Sequence, residues 1–279
     1  MHELRQDFPI AGLLKLAALA RSTFYYQQQR AQVSDKHAQL KIKISQIYHR
    51  HKGRYGYRRI TLALRHLGHA VNHKLIQRLM GVLSLKSLVR PKKYRSYKGD
   101  IGAIAPNVLQ RQFKASSLNE KWVTDVTEFA VAGEKLYLSP IMDLFNGEII
   151  AYETSKKPVA HLVEAMLQRA LRRLRGPDKP VLHSDQGWQY QMKGYQQTLL
   201  KHGVLQSMSR KGNCLDNAPI ESFFATLKAE FFYLNKFSSI DELQKGLHSY
   251  IRYYNNDRIT LRNGGLSPVQ YRAQPLPTS

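Results

Sequence analysis

The chain has 279 residues, enough for one or two domains. Its content of 43% hydrophobic and 10% aromatic residues can form a core, which excludes a wholly disordered protein. It carries 43 Lys and Arg residues against 20 Asp and Glu, a formal net charge of +23. A surplus of this size indicates a polyanionic partner, most commonly nucleic acid.

The positive charge is concentrated in the first part of the chain. Residues 1–114 hold 23 Lys and Arg but only 4 Asp and Glu, whereas residues 115–279 hold 20 and 16. This asymmetry predicts a DNA-binding region followed by a region that uses carboxylates for chemistry. The single cysteine, Cys214, excludes an internal disulfide and fits a reducing cytoplasm. No stretch reaches the ~18 apolar residues of a membrane span, so we expect no membrane partner.

The first 90 residues are predicted to be helical. Residues 1–35 form either a helix-turn-helix or a plain helical hairpin. Residues 36–90 are predicted to form a helix-turn-helix-like DNA-binding domain with helices at about 36–50, 57–67 and 72–83, the last capped by Asn72. Residues 91–117 are predicted to be a basic linker. The candidate DNA contacts in these regions, which combine cations with tyrosines, are Arg54, Tyr55, Tyr57, Arg58, Arg59, Lys92, Lys93 and Arg95.

From residue 121 onward the pattern predicts an α/β domain over residues 118–279. Alternating apolar residues predict strands at 122–131, 136–144 and 148–154, the last two joined by a hairpin at Asn146-Gly147. The elements predicted after them are a helix (158–174), a strand (180–183), a helix (193–202), a strand (204–208) and a helix (219–232). Three antiparallel strands followed by this alternation are typical of the ribonuclease-H-like fold.

Three carboxylates stand out by their placement. Asp125 lies in the middle of a predicted strand, where Asp is disfavoured. Asp185 lies just past the end of a buried strand, where α/β proteins collect ligands. Glu221 lies in the first turn of its helix, and Lys228, seven residues later, shares its face. We expect these acids to hold a metal and the lysine to contact a phosphate backbone.

Three other acids compete for the same role. Strand alternation turns Glu128 to the opposite face from Asp125, which favours a surface position. Asp143 precedes the hairpin turn and is either structural or close to the site. Asp216 is either a cap of the Glu221 helix or a substitute metal ligand.

Other candidates have both a packing and a DNA-binding interpretation. His183 and Trp188 flank Asp185, and each either packs in the core or touches substrate DNA. Residues 250–258 form the end of a helix that either packs or contacts DNA. The sequence leaves these alternatives open, although Trp188 is retained as a candidate DNA contact.

The spacing of the three acids resembles that of a known family. There are 59 residues between Asp125 and Asp185 and 35 between Asp185 and Glu221, similar to the D,D(35)E pattern of retroviral integrases and DDE transposases. Over roughly residues 10–275 the chain also resembles the second-frame transposase of two-frame bacterial insertion sequences. The stretches that carry this resemblance are RYGYRRI, NHKLIQRLM, WVTDVTEF, SPIMDLFNGE, HSDQGWQY, SMSRKGNCLDNAPIESFFATLK and YIRYYNNDRIT.

The resemblance implies a DDE transposase that cuts 3′ ends at terminal inverted repeats and transfers them to target DNA. Two Mg²⁺ ions, or Mn²⁺ in their place, would be held by Asp125, Asp185 and Glu221, with Asp125 bridging both. It also implies a homo-oligomer on double-stranded DNA, fusion by frameshifting to an upstream helix-turn-helix protein, and action at the bacterial nucleoid. A metal-dependent nuclease without strand transfer and a non-catalytic DNA-binding relic are the alternatives.

Overall fold

The computed structural model describes residue 4 and residues 6–32, 35–89, 105–210 and 214–274. Residues up to 89 are helical, and those from 121 onward combine one sheet with helices on both faces. The helices are α1 (Ile10–Leu16), α2 (Arg21–Gln32), α3 (Ala38–Arg50), α4 (Tyr57–His66), α5 (His73–Val82), α6 (Ala160–Leu171), α7 (Lys193–Lys201), α8 (Ala218–Glu230), α9 (Ile240–Asn256) and α10 (Pro268–Arg272). The strands are β1 (Lys121–Thr124), β2 (Thr127–Val131), β3 (Glu134–Asp143), β4 (Ile149–Ser155), β5 (Val181–Ser184) and β6 (Leu205–Met208). No helix in the described ranges has the length and apolar character needed to cross a membrane.

Helices α3, α4 and α5 share one small core. The fully buried side chains at its centre are Ile44, Ile60, Leu64 and Ile76. The Asn72 side chain accepts a hydrogen bond from the backbone N–H of Lys74, so the predicted N-cap of α5 is confirmed. Ile259, from the far end of the chain, packs into the same core. The helical region is therefore joined to the C-terminal region by apolar packing as well as by the polypeptide.

The sheet has the order and directions predicted for a ribonuclease-H-like fold. Strand β3 lies between β4 on one side and β1 with β2 on the other, all antiparallel to it. Strand β5 pairs parallel with β1, and β6 pairs parallel with β5. Parallel neighbours require crossover connections, which α6 and α7 supply. The predicted fold class is confirmed.

The first predicted strand is interrupted at Asp125, so the prediction that this residue lies within a continuous strand was wrong. Strands β1 and β2 pair with β3 in a single register, with Thr124 opposite Ile141 and Thr127 opposite Leu138. This register sets Asp125 opposite Pro140, which has no N–H to donate to the ladder. The hydroxyl of Thr124 donates instead to the Pro140 carbonyl at 2.8 Å. The gap leaves Asp125 in a short irregular segment.

Both hairpins in the sheet use residues with positive φ. Gly147 has φ +76° in the turn between β3 and β4, which confirms the predicted Asn146-Gly147 turn. Ala132 and Gly133, with φ +50° and +81°, form the two-residue turn between β2 and β3. Positive φ at both turn residues matches the right-handed twist of the strands.

Helices cover both faces of the sheet and bury two separate cores. One core packs α6 and α7 against side chains such as Trp122 and Leu182. The other packs α8 and α9 against side chains such as Val123 and Phe129. Since neighbours in a strand face opposite cores, the alternation predicted for this strand is confirmed.

Two segments pack against the core in ways that the sequence alone left open. The end of the predicted linker packs on the core: Leu109 is buried, and its backbone N–H donates to the hydroxyl of Ser207 at 3.2 Å. The 250–258 segment belongs to α9 and the turn after it, where Tyr250 and Tyr254 are buried. Packing, rather than DNA contact, is therefore the interpretation that the structure supports for 250–258.

Candidate active site

Asp125 and Asp185 emerge level with each other from two neighbouring parallel strands. Val123 of β1 pairs with His183 of β5, so each aspartate follows its paired residue by two positions. Asp125 follows the end of β1 and Asp185 the end of β5. The carboxyl ends of adjacent parallel strands are where α/β proteins bind ligands. The topology thus brings together two acids that are far apart in the sequence.

Helix α8 brings Glu221 to the same edge of the sheet. The side-chain amide of Asn217 donates to the carbonyl of Thr124 at 3.0 Å, which joins the start of α8 to the end of β1. Glu221 lies in the first turn of α8, as predicted. Asn217 occupies the N-cap position of α8, but its side chain makes no cap hydrogen bond because it is directed to β1.

The three carboxylates interact electrostatically. Burial, followed by the charge of Asp185, raises the pKa of Asp125 well above its usual range, and Glu221 adds to the effect. Burial and then Asp185 raise the pKa of Glu221, and burial raises that of Asp185. Each keeps some solvent exposure. Acids that are desolvated and repel one another have a strong affinity for a cation.

Lys228 lies close enough to this cluster to oppose the repulsion. It lowers the pKa of Asp125. Its own pKa is lowered by burial, which outweighs the raising effects of Glu128 and Asp125. The lysine Nζ is 5.4 Å from the centre of the Phe129 ring, within cation–π distance. The predicted shared face of Glu221 and Lys228 thus faces the acid cluster.

The loop after β5 is held in shape by Asp185. One carboxylate oxygen of Asp185 accepts a hydrogen bond from the backbone N–H of Gly187 at 2.9 Å. A Cβ on Gly187 would lie 2.6 Å from Gln189 and 2.9 Å from Asp185, so a larger residue there would displace these side chains. Trp188 follows with 53% of its surface exposed, whereas Tyr190 is buried. Trp188 therefore remains accessible to a ligand beside the acids.

Comparison with known proteins agrees with this geometry. Models of a family described as "Integrase core domain" match residues 115–214 and 221–276, and one described as "HTH-like domain" matches residues 35–93. The chain is 58% identical over 274 residues to the protein described as transposase InsK for insertion sequence element IS150 of Escherichia coli K12. The match spans 98% of this chain and 97% of that protein. The chain belongs to the insertion-sequence transposases.

Other members of the family are more distant from this transposase. It is 32% identical to transposase InsF for insertion sequence IS3A of Escherichia coli K12, over 97% of this chain and 96% of that protein. It is 35% identical to the transposase for insertion sequence element IS904 of Lactococcus lactis, over 79% and 88%. A chain of a solved simian T-cell lymphotropic virus intasome has 15% identity and a TM-score of 0.49, covering 81% of this chain and 73% of that one. The family assignment rests on the sequence relatives.

Two acids of the transposase that were considered as alternative metal ligands form ion pairs with basic side chains instead. Asp216 forms ion pairs with Arg210 at 3.0 Å and Arg111 at 2.7 Å, and the hydrogen bond from Arg210 is the main cause of its lowered pKa. Glu128 is exposed on the opposite face and pairs with Lys135. These partners favour structural roles over metal binding for both acids.

Two further candidates are buried in the core. Asp143 accepts hydrogen bonds from the backbone N–H groups of Asn119 and Phe145, and burial raises its pKa to about 6. His183 lies with its two ring nitrogens 2.8 and 3.1 Å from the hydroxyls of Ser207 and Ser209. Burial lowers the pKa of His183 to about 4. The packing interpretation of His183 is the one that the structure supports.

The residues at the carboxylate edge fit a hard divalent cation. Carboxylate oxygens are the ligands that Mg²⁺ and Mn²⁺ prefer. In the part of the chain that the structure describes, no three His, Cys, Asp or Glu side chains lie together in an arrangement that could hold a metal ion. The Oδ1 atom of Asn217 is nevertheless buried there without a hydrogen-bond partner, next to the strand that carries Asp125. An acceptor of this kind can receive a hydrogen bond from the water of a hydrated cation.

Arg54 and Tyr55, predicted as DNA contacts, join the two regions of the transposase instead. Tyr55 is fully buried, and its hydroxyl donates to the carbonyl of Asp257 at 3.2 Å. Arg54 is 9% exposed, donates to the carbonyl of Glu230 at 2.9 Å and lies 4.8 Å from the centre of the Tyr253 ring. The DNA-contact prediction was wrong for these two residues because burial keeps them from a ligand.

Glu230 is the centre of this interface, and the sequence analysis missed it. Its carboxylate accepts two hydrogen bonds from Arg258, both at 2.8 Å, one from Arg59 at 3.0 Å and one from Tyr250 at 3.1 Å. Arg59 is thus an interface residue as well, although its side chain is 22% exposed. The position of Glu230, three residues after Leu227 on the apolar stripe of α8, was the available signal.

The other predicted DNA contacts remain predictions. Arg58 and Trp188 are exposed, and Tyr57 is half-buried on the first turn of α4. Lys92, Lys93 and Arg95 lie outside the described residues.

Proposed function

We propose that this transposase acts as a DDE polynucleotidyl transferase, in which Asp125, Asp185 and Glu221 form the catalytic cluster. The observation that carries the proposal is the convergence of three acids from separate elements at one edge of the sheet, where burial raises the pKa of each. Structural acids are usually paired with cations, as Asp216 is in this chain. A cluster of acids that raise one another's pKa is typical of a functional site.

The reaction would proceed in two steps at one site. Water would first attack a phosphodiester bond at the end of the element, which leaves a 3′-hydroxyl on the element and a 5′-phosphate on the flanking DNA. That 3′-hydroxyl would then attack a phosphodiester of the target DNA, join to its 5′ side and release a 3′-hydroxyl of the target strand. Asp125, Asp185 and Glu221 would hold two Mg²⁺ or Mn²⁺ ions, which supply activation of the attacking oxygen and stabilisation of the leaving one. Lys228 would orient the nearby phosphate, because its ammonium group lies beside Asp125.

The wider setting also follows from the family. We propose that the substrates are the terminal inverted repeats and a target duplex, bound by more than one copy of the chain. Fusion to an upstream helix-turn-helix protein would complete the recognition of the ends. The action would take place at the nucleoid in the bacterial cytoplasm, since that is where an insertion sequence resides.

The test is a plasmid assay with variants of each acid. Asp125→Asn, Asp185→Asn and Glu221→Gln should each lower the yield of cut and joined DNA by at least about a thousandfold, because the acids act as a unit. DNA binding should remain within about twofold of the wild type. The substrate is a supercoiled plasmid carrying the DNA that flanks this gene, incubated with Mg²⁺ or with chelator, and new 3′ ends and junctions are mapped.

Glu128→Gln is the matched control, since this acid lies three residues from Asp125 but on the exposed face. Near-normal product from any of the three acid variants would remove that residue from the cluster. Nicks without junctions in the wild type would favour the nuclease alternative. DNA binding without any product, even from the chain fused to the upstream frame, would identify a relic.

A further inference from the structure

Docking of the helical region on the catalytic region leaves a groove between them. Its volume is about 670 Å³. One wall is the start of α4, at Tyr57 and Arg58, and the other is α8, at Ser222, Ala225 and Thr226. Both domains are therefore needed to form it.

The groove carries an excess of positive charge. It is lined by four arginines and one carboxylate, Glu230. Arg59 and Arg258 share the single carboxylate of Glu230, and Arg54 is buried, so Arg58 supplies the positive charge that an occupant can reach. Arg58 is exposed, and the first turn of α4 contains no acidic residue. A groove with this charge attracts a polyanion.

The groove begins beside the catalytic cluster. Ser222 follows Glu221 directly, and Ala225 lies four residues after Glu221, on the same side of α8. Small side chains on this wall leave room for a bulky chain to pass along the helix. Ser222 is the lining residue next to Glu221 in α8, so an occupant that follows the helix from the groove would pass beside this acid.

We infer that the groove holds the phosphate backbone of the DNA strand that enters the active site. The guanidinium group of Arg58 would donate to phosphate oxygens, and the hydroxyl of Ser222 would donate from the opposite wall. The charge complementarity selects DNA as the occupant. The inference rests on the proposed function, because the strand is defined by its path to Glu221.

The first test places a negative charge in the groove. Thr226 is half-buried on the α8 wall and is not one of the proposed catalytic residues. Thr226→Glu should weaken binding of a fluorescein-labelled duplex copied from the flanking DNA roughly tenfold. The number of counterions released on binding, read from the salt dependence of the affinity, should fall by about one. Thr226→Gln, of similar size but neutral, should remain within about twofold of the wild type. Equal affinity of the two variants would overturn the inference.

The second test detects proximity directly. In a Cys214→Ser background, Thr226→Cys supplies the only thiol in the chain. It should form a disulfide, by thiol exchange, with DNA that carries an activated disulfide tether on a backbone phosphate. Gln168→Cys is the matched control, because this residue is exposed on α6, on the opposite face of the sheet. Equal cross-linking yields from the two positions would exclude the groove as the binding site of the DNA strand.

The two proposals can fail separately. If the wild type makes metal-dependent products while the Thr226 variants bind DNA equally, only the groove is excluded. If the wild type and its fused form bind DNA but make no product, the proposed function fails whatever the cross-linking yield. Arg58→Gln provides a further check from the opposite wall, and we expect it to weaken binding and lower the salt dependence as Thr226→Glu does.

Discussion

Asp125, a residue of the proposed catalytic cluster, illustrates how such a role can reduce the stability of the protein. Its carboxylate lies in a partly dehydrated site next to Asp185, and its pKa is raised for that reason. An acid whose pKa is raised on folding stabilises the folded state only while it is protonated, and this contribution is lost as the pH rises through the raised pKa. At neutral pH the unfolded chain ionises this carboxyl freely, whereas the folded state opposes the charge, so the acid lowers the stability of the fold.

Replacing that charge should stabilise the metal-free protein. We expect Asp125→Asn in chelator to raise the melting temperature at pH 8 by about 2 to 4 °C for each kcal/mol of repulsion removed. The acceptor oxygen that receives the Val126 N–H is retained in Asn. Differential scanning calorimetry would measure the shift, with Glu128→Gln as control. A melting temperature at or below that of the wild type would show that the repulsion costs no stability.

Two buried histidines should make the protein sensitive to acid. Burial lowers the pKa of both His51 and His183 from 6.5 to about 4. Between these values the unfolded chain binds protons that the folded chain does not, so stability falls as the pH falls. Each histidine should lower the free energy of unfolding by about 2 kcal/mol between pH 7 and pH 5.

His183→Asn should remove about half of this acid-induced loss, because Asn can still hydrogen-bond to the neighbouring serines but does not titrate. Urea unfolding of the wild type and the variant at the two pH values provides the measurement. His161→Asn, an exposed histidine on α6, is the control. An equal loss of stability in all three proteins would contradict the assignment to His183.

At the scale of elements, α8 combines roles that are usually separate. It carries Glu221 at its start and Lys228 near its end, while Glu230 joins it to the helical region. The sequence predicted the first two because the spacing and helical periodicity are local properties. It could not predict the partners of Glu230, since Arg59 and Arg258 lie 171 and 28 residues away in the chain.

The strands illustrate the same limit. Period-two alternation predicted the faces of the strand around Asp125, and its ends agree with β1 and β2 within one residue. The interruption of the strand at Asp125 depends on Pro140 of β3 lying opposite it. That pairing is fixed by the register between the strands, which a local sequence pattern does not specify. Composition likewise predicted Arg54 and Tyr55 as DNA contacts, because a run of arginines and tyrosines has the same sequence whether it faces DNA or another domain.

At the scale of the whole molecule, the helical region and the catalytic region are packed as one unit. Ile259 lies in the core of α3–α5, and Arg54 and Arg59 contact Glu230 on α8. These contacts are buried, so they are weakened little by salt. DNA bound by one region is therefore held in a fixed position relative to the other.

Breaking the docking contacts should loosen the helical region but not the sheet. In Arg54→Ala/Arg59→Ala, the loss of the ion pair and of the cation–π contacts should cost about 1–2 kcal/mol, while Arg258 still neutralises Glu230. Amide hydrogen exchange in α3–α5 should become roughly tenfold faster, with the strands unchanged. Arg65→Ala, an exposed arginine of α4, is the control. Unchanged exchange would show that the two regions do not stabilise one another.

The length of α8 has a consequence for the geometry of cutting. Glu221 and Glu230 are nine residues apart, or about 13 Å along a helix that rises 1.5 Å per residue. Stacked nucleotides rise about 3.4 Å, so this distance corresponds to about four nucleotides of one strand. On the inferred path of the strand, the helix would set the number of nucleotides between the domain junction and the acids. Inserting or deleting residues in α8 would change this distance even if every side chain around the acids were kept.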